Sequence, residues 1–446
     1  MKVTTNKKST VSERSRRYDS YKDSEVAWLG DIPEHWELRR IKYLFNEINE
    51  RSDNGNEDLL SVSQYTGVTN KSDKVEVGGM LTNALTLEGY KKVKKGDLVS
   101  NIMLAWNGSL GFSPFDGITS PAYSIYRIYG ENHNRYFHYL LRTELYKAEF
   151  KRNSSGVIES RLRLYTDDFF NIQSILPPLS EQTKIAQFLD DKTTKIDDAI
   201  AIKEQQINLL KERKQILIHK AVTRGLDDSV PLKDSGVEWI GEIPEHWEVK
   251  KLTYLTKFIT CGLASTPTYV NEEIGKPFLS AQNVRPFKMN YKKFNFIPIR
   301  LHKQLTAIRK IEKGDLLLTR VGAGIGDVAI FNEDLDCAVY VSLTHIRVLK
   351  SVFNKFIMYF LGSYAAKLMH EEGTVLAGGQ GNLNVNNLRK YRFSVPPLSE
   401  QKEISVYIET ASQKIERAIG LKQQEIAKLK EYKSSLINGV VTGKVR

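Results

Sequence analysis

An internal duplication is the feature that most constrains how this chain can fold. Residues 22–45 read KDSEVAWLGDIPEHWELRRIKYLF, and residues 233–256 read KDSGVEWIGEIPEHWEVKKLTYLT. A second matched pair, at 176–225 and 395–444, contains PPLSEQ near its start. The repeat distance of about 215 residues is far longer than the 20–50 residues of solenoid repeats. The sequence therefore predicts a duplicated domain instead of an array.

Between the matched segments lie two bodies, at roughly 46–175 and 257–394, that differ in sequence. They share little beyond KKGDL at 94–98 and EKGDL at 312–316. Two similar frames are thus predicted to carry two different surfaces.

Charge and composition narrow the class of protein. The net charge of +12 favours a polyanionic partner. Residues 23–179 hold 18 basic and 21 acidic groups, whereas residues 226–398 hold 22 and 17, so the first body would need a local basic patch. Two cysteines cannot form a disulfide framework, and the sequence shows neither a secretory signal nor a membrane span. We therefore expect a cytoplasmic protein without a membrane partner.

The segments after Pro-Pro are predicted to be long helices. Ser180 and Ser399 are the expected N-cap residues, and Glu181 and Glu400 place negative charge in the first turn. Apolar residues then recur every eleven positions, which is close to three helical turns. The predicted helix-pair interface comprises Ile185, Leu189, Ile196, Ile200, Ile207, Leu210 and Ile218, and Ile404, Ile408, Ile415, Ile419, Ile426, Leu429 and Ile437.

The length of these helices indicates how they are used. Four repeats give about 45 residues, or roughly 67 Å at 1.5 Å per residue, so much of the apolar stripe extends beyond one body and needs another partner. The matching apolar stripe of the other long helix is the nearest candidate for this partner. Because a short connection (223–237) separates the first helix from the second body, the second helix must run back. We predict a mixed α/β protein whose two globular domains are joined by an antiparallel helix pair, with a pseudo-twofold internal repeat.

Motifs that carry catalysis do not occur in the sequence. It has no GxxxxGK[ST] phosphate loop, no HExxH zinc motif, and no Asn/Asp-Pro-Pro-Tyr/Phe methyltransferase element. The segment VGAGIGD at 321–327 has GxGxG spacing, and a strand is predicted to follow it. A turn between two strands is therefore favoured over a cofactor loop, and its glycines would permit close approach to DNA.

The repeated tryptophan motif is the remaining conspicuous feature. We call residues 26–37 and 237–248, VAWLGDIPEHWE and VEWIGEIPEHWE, the strap motifs. Their tryptophans are predicted to pack each body against a helix, in preference to stacking on bases. His35 and His246 are predicted to be hydrogen-bonded structural residues.

A pseudo-symmetric protein can place equivalent domains on two half-sites of duplex DNA, which has local twofold axes of its own. Arg, Lys, Asn and Gln are the side chains that contact phosphates and read bases. Candidate DNA-contacting residues are Lys91, Lys92, Asn101, Asn107, Arg161 and Arg163 in the first body, and Asn283, Arg285, Lys288, Lys292, Lys293, Arg320, Gln380 and Asn382 in the second. For each of these residues, a solvated surface role is an equal alternative.

The paired strap motifs, paired PPLSEQ helices and KGDL segments together resemble the specificity subunit of type I restriction–modification systems. The resemblance extends from about Lys22 to the end of the sequence. It implies the following division: an N-terminal tail (1–21), a first target recognition domain (22–178), a central spacer helix (179–225), a second target recognition domain (226–397) and a C-terminal spacer helix (398–446).

The resemblance also implies partners and cofactors. Each recognition domain would read one half of an asymmetric bipartite target in double-stranded DNA. Two methyltransferase subunits would dock on the frame, and restriction subunits would complete an ATP-dependent nuclease. The chain itself would be non-catalytic and bind no cofactor, because S-adenosylmethionine, ATP and Mg would be bound by partner subunits. The alternative is a scaffold protein whose helical rod joins two protein-binding domains.

Overall fold

The structure is a computed structural model that describes residues 17–72, 84, 86–158, 161–377 and 380–446. The chain divides into two compact units. Unit 1 contains residues 1–202 and 424–446, and unit 2 contains residues 203–423. Each unit therefore combines one body with a part of both long helices. The predicted N-terminal tail lies mostly outside the described residues.

Unit 1 is a mixed helix and strand domain. Its strands are β1 (Tyr21–Asp23), β2 (Asp31–Pro33), β3 (Glu37–Arg40), β4 (Phe45–Ile48), β5 (Leu60–Ser63), β6 (Gly67–Asn70), β7 (Lys91–Val93), β8 (Leu98–Asn101), β9 (Leu110–Phe112), β10 (Gly117–Thr119), β11 (Tyr123–Ile128) and β12 (Gln173–Leu176). Its helices are α1 (Asn134–Leu140), α2 (Glu144–Arg152), α3 (Thr166–Asn171) and the first part of α4 (Leu179–Arg224). The largest sheet is antiparallel, in the order β4-β11-β8-β9.

Unit 2 repeats this frame with additional strands. Its strands are β13 (Leu232–Asp234), β14 (Glu242–Pro244), β15 (Glu248–Lys251), β16 (Thr256–Cys261), β17 (Gly275–Leu279), β18 (Val284–Arg285), β19 (Lys288–Met289), β20 (Asn295–Pro298), β21 (Leu316–Thr319), β22 (Val328–Ile330), β23 (Ala338–Val339), β24 (Leu343–Val348), β25 (Thr374–Ala377), β26 (Gln380–Leu383) and β27 (Arg392–Val395). Its helices are α5 (Ile299–Ile308), α6 (Asn354–Leu361), α7 (Tyr364–Glu372), α8 (Val385–Lys390) and the first part of α9 (Leu398–Val441). The equivalent antiparallel sheet has the order β16-β24-β21-β22.

The shared KGDL segments form the same ion pair, around a buried aspartate, in both units. The Asp97 carboxylate accepts two hydrogen bonds from Arg127, at 2.8 and 2.9 Å. The Asp315 carboxylate accepts two from Arg347, both at 2.7 Å. Asp97 lies just before β8 and binds Arg127 of the neighbouring strand β11. Asp315 lies just before β21 and binds Arg347 of the neighbouring strand β24. This shared contact explains why the tetrapeptide recurs in otherwise different bodies.

The strap motifs attach each body to the start of a long helix. Trp36 is fully buried, and its Nε1 donates to the Glu181 carboxylate at 3.0 Å, while His35 Nε2 lies 2.6 Å from the other carboxylate oxygen. In unit 2, Trp247 and His246 make the equivalent contacts to Glu400, at 3.1 and 2.9 Å. The predicted structural roles of Trp36, Trp247, His35 and His246 are thus confirmed, whereas Trp28 packs on Tyr146 of α2 within the body.

The glutamine that follows each glutamate closes the same junction. Gln182 Nε2 donates to the Pro177 carbonyl, and its Oε1 accepts from the His133 amide. Gln401 makes the equivalent bonds in unit 2. The N-cap prediction for Ser180 and Ser399 was wrong by two residues: α4 and α9 begin at Leu179 and Leu398, because the Pro178 and Pro397 carbonyls already accept the first helical bonds.

The long helices pack antiparallel within each unit. In unit 1, Leu189 near the start of α4 shares a core with Val441 at the end of α9, and Lys433 pairs with Asp197 at 2.6 Å. In unit 2, Ile218 shares a core with Ile404, and Lys214 pairs with Glu416 at 2.7 Å. The predicted antiparallel pair of long helices is confirmed.

Burial along the helices follows the eleven-residue stripe. Ile185, Leu189, Ile196, Ile200, Ile207, Ile218, Ile404, Ile408 and Ile426 are buried, and Leu210, Ile415, Ile419, Leu429 and Ile437 are half-buried. Phe188 and Tyr407, at equivalent positions beside this face, are exposed. The exact membership of the helix-pair interface stays a prediction.

Candidate nucleic-acid interface

In unit 2, three connecting segments meet at one edge of the four-stranded sheet. The turn 320–327 joins β21 to β22, and the hairpin β18–β19 lies against β22, where the Phe287 amide donates to the Val328 carbonyl at 2.9 Å. The hairpin β25–β26 pairs with the turn at Val321. We call this the three-loop face of unit 2. The predicted turn between two strands at 321–327 is therefore confirmed.

Arg320 and Asn382 brace this face. Arg320 Nη2 donates to Asn382 Oδ1 at 2.7 Å, and its Nε donates to the Leu383 carbonyl at 3.0 Å. Both side chains are half-buried. The structure thus brings together two predicted DNA-contacting residues, but their polar groups hold the β25–β26 hairpin to the turn.

Unit 1 has an equivalent three-loop face. Here the connection 102–109 joins β8 to β9, and the β5–β6 hairpin lies against β9, with Gly67 and Gly111 in close contact. The loop after α2 reaches the connection through the Leu164 amide, which donates to the Ile102 carbonyl at 2.9 Å. The same three positions of the frame therefore carry different sequences in the two units.

The two faces present different chemistry. Tyr65, at the tip of the β5–β6 hairpin, is 84% exposed. Arg161 and Arg163 are exposed on the loop after α2, where Ser155 pairs with Arg163. In unit 2, the β18–β19 hairpin instead carries the exposed side chains of Arg285 and Lys288. Exposed cations and an aromatic ring are suited to contacts with phosphates and bases.

Asp327 closes the turn of unit 2 with a half-buried carboxylate. It lines a cavity of about 390 Å³ together with Phe287 and Lys367. Burial raises the pKa of Asp327, and the positive charge of Arg285 opposes that shift. A carboxylate in such a position repels phosphate and can accept a hydrogen bond from the amino group of a base.

Three of the predicted DNA-contacting residues require correction. Asn283 is fully buried, and its amide donates to the carbonyls of Asn290 and Lys293. Asn101 is buried, with its Oδ1 accepting from the Met103 amide. Lys91 is buried in β7, where burial lowers its pKa. The two asparagine side chains are engaged in hydrogen bonds within the fold, and the Lys91 side chain is largely covered by it.

The remaining candidates lie at various positions. Lys92 lies 3.5 Å from Asp53, in an ion pair on β7. Asn107 accepts hydrogen bonds from the amide and hydroxyl of Ser109. Lys292 and Lys293 are exposed next to the β18–β19 hairpin. Gln380 begins β26, whereas the glycines at 378 and 379 lie outside the described residues. Direct DNA contact by any of these residues stays a prediction.

Sequence reasoning missed Tyr65 and Phe287 on these faces, and it missed Arg142, whose guanidinium donates to the Gln64 and Tyr65 carbonyls at the tip of the β5–β6 hairpin. The two bodies differ too much for the equivalence of their loops to be read from the sequence. A weak signal existed for Phe287, because it follows Arg-Pro in a basic stretch. Arg142 lies at a helix end and resembled any surface arginine.

Within the described part of the chain, no group of three or more His, Cys, Asp or Glu residues is placed to hold a metal ion. No helix there combines the length and apolar character needed to cross a membrane.

Comparison with known proteins gives consistent matches. A family model described as "Type I restriction modification DNA specificity domain" matches residues 33–212 and 244–431. The chain is 26% identical over 473 residues to the putative type I restriction enzyme MjaX specificity subunit of Methanocaldococcus jannaschii, covering 96% of this chain and 97% of that protein. It is 25% identical over 308 residues to the type I restriction enzyme EcoKI specificity subunit of Escherichia coli, covering 66% and 60%.

Solved structures share the fold. One, described as "Structural basis underlying complex assembly and conformational transition of the type I R-M system", matches with a TM-score of 0.69 and 16% identity over 92% of this chain and 98% of that one. The crystal structure of the HsdS subunit from Thermoanaerobacter tengcongensis matches with a TM-score of 0.52 and 17% identity over 93% and 98%.

Proposed function

Because this chain belongs to the family of type I restriction–modification DNA specificity proteins, we propose that its two three-loop faces read the two halves of one bipartite DNA target. The chain is a specificity subunit with two recognition domains. The observation that supports the proposal is the repeated frame: equivalent sheet edges carry unlike loops. Two unlike reading surfaces on one frame suit an asymmetric target whose halves differ.

The chemistry of the faces indicates how DNA would be bound. In unit 2, Arg285 and Lys288 are exposed on one hairpin and would contact phosphates or guanine edges, although Arg285 Nη1 also donates to the Ala281 and Val284 carbonyls. In unit 1, Arg161 and Arg163 occupy the loop after α2. The Arg161–Arg163 cluster would compensate locally for the net negative charge of the first body, so that both recognition domains can bind a polyanion.

The helix pair is proposed to fix the spacer between the half-sites and to dock two methyltransferase subunits. Exposed apolar residues on α4 and α9, including Leu209, Ile216, Val406 and Leu421, support a protein partner along the helices. Restriction subunits would join the larger complex. S-adenosylmethionine, ATP and Mg would be bound by these partners, which would carry methylation of adenine N6 and ATP-dependent cleavage, while this chain supplies sequence recognition.

Competition binding by the complex with methyltransferase subunits tests the proposal. A selection from random duplexes should yield one bipartite motif, and a mismatch in either half should weaken binding by about 5- to 150-fold, equivalent to about 1–3 kcal/mol. Affinity should fall linearly with the logarithm of salt concentration. The chain alone should neither methylate nor cleave DNA. Salt-independent binding, or selection of no motif, would instead support the scaffold alternative.

A further inference from the structure

One equivalent position holds a large cationic residue in unit 1 and a glycine in unit 2. Helices α1 and α2 are separated by a short turn whose N-cap is Thr143, and α6 and α7 are separated by a turn whose N-cap is Ser363. The residue before the N-cap is Arg142 in unit 1 and Gly362 in unit 2. This position faces the hairpin that lies on the edge strand of the four-stranded sheet.

In unit 1, a side chain of the turn between α1 and α2 contacts the β5–β6 hairpin. Arg142 Nη2 donates to the Gln64 carbonyl at 2.6 Å and to the Tyr65 carbonyl at 3.3 Å. Its Nη1 donates to the Leu110 carbonyl at 3.5 Å, so one guanidinium joins the hairpin tip to the edge strand. Gly67 makes room for this group, since a Cβ there would lie 2.8 Å from Nη1.

In unit 2, a side chain of the β18–β19 hairpin contacts α6 and the turn that follows it. The Phe287 ring occupies the space that a side chain at Gly362 would fill, and a Cβ at 362 would overlap it. The ring packs against Tyr359, with centroids 5.3 Å apart, and Lys214 of α4 lies 5.7 Å from its centre.

Backbone strain marks Phe287 as a special residue. Its φ is +63°, a region that a bulky L-residue rarely adopts. Such a conformation persists where the surroundings enforce it, commonly at functional sites. At this residue the ring packs toward the protein, whereas the neighbouring Arg285 and Lys288 are exposed.

We propose that Arg142 and Phe287 are equivalent positioning residues, each of which fixes the first recognition loop of its unit and thereby sets the fidelity with which one half-site is read. The inference rests on the proposed function. An arginine held by carbonyl oxygens and a ring held in a glycine pocket are different solutions to the same requirement, which is a loop that is ordered before DNA arrives. Pre-ordering of this kind raises discrimination because less conformational entropy is lost on binding.

Selection from random duplexes, with the methyltransferase-bound complex, tests this assignment. Phe287→Ala should reduce discrimination about tenfold at one or more base pairs of a single half-site and leave the other half unchanged. Arg142→Ala should do the same for the opposite half. The conservative variants Phe287→Leu and Arg142→Lys should show intermediate losses, because leucine fills part of the pocket and lysine cannot reach three carbonyls.

Two control variants separate positioning from general loss of structure or charge. Arg135→Ala removes an arginine of α1 that pairs with Asp190, and Tyr364→Ala removes a ring that packs on His219. Both should preserve the two half-sites. Equal losses of discrimination in both half-sites, or unchanged discrimination in well-folded Arg142→Ala and Phe287→Ala variants, would overturn the assignment. A wild-type complex that selects no bipartite motif would instead contradict the proposed function.

Discussion

At the residue scale, the buried aspartates of the KGDL segments hold the sheets together. Burial alone would raise the pKa of Asp315, but hydrogen bonds from Arg347 and His345 outweigh it and leave that pKa below its ordinary value of 3.8. The charged form of Asp315 is therefore favoured by folding. Its contribution to stability is present above pH 3.8 and is lost as the pH falls through the lower pKa of the folded state.

Asp315→Asn should lower the free energy of unfolding of unit 2 by about 1–3 kcal/mol at pH 7, because it removes the charge of a buried carboxylate that accepts two hydrogen bonds from Arg347 and leaves Glu312 as the acidic partner of that guanidinium. Urea denaturation followed by circular dichroism measures the change. The deficit should shrink below about pH 3.8. Asp334→Asn, at an exposed acidic residue of the same unit, serves as the matched control. A deficit that is constant down to pH 2 would contradict the ion-pair explanation.

At the element scale, the junction between a strap motif and a long helix links the body to the helix pair. Periodicity predicted the helices because an eleven-residue stripe has one structural interpretation. The strap was predictable because two tryptophans and a histidine recur with the PPLSEQ segment. Asn283 was misassigned because an amide that closes a loop and an amide that reads a base look alike in a sequence. The positioning residues Arg142 and Phe287 depend on contacts between segments that are distant in sequence, and a single sequence does not reveal such contacts.

Glu400→Gln should destabilise unit 2 by about 1–3 kcal/mol, since it weakens charge-assisted hydrogen bonds and removes negative charge from the start of α9. Thermal unfolding measures the effect. Glu403→Gln removes an exposed carboxylate from the next turn of the same helix and should be nearly neutral. Equal effects of the two substitutions would show that the strap contact contributes little.

At the scale of the whole molecule, the proposed role of the helices makes a length prediction. Inserting two eleven-residue repeats into both α4 and α9 keeps the apolar stripe in phase and adds about 33 Å of helix. This is close to one turn of DNA, which spans 34–36 Å. The selected half-sites should stay unchanged, while the unread spacer grows by about ten base pairs. A single repeat in each helix should instead weaken binding, because it would place the half-sites on opposite faces of the duplex; altered half-sites would contradict the model.

The division of both long helices between the two units has a consequence for how the polypeptide matures on the ribosome. Unit 2 is formed by the continuous stretch of residues 203–423, whereas unit 1 combines residues 1–202 with residues 424–446. Nascent domains usually fold from the N-terminus onward. Here the half encoded first cannot be completed co-translationally before the other half has been synthesised, because its final helical segment follows unit 2 in the chain.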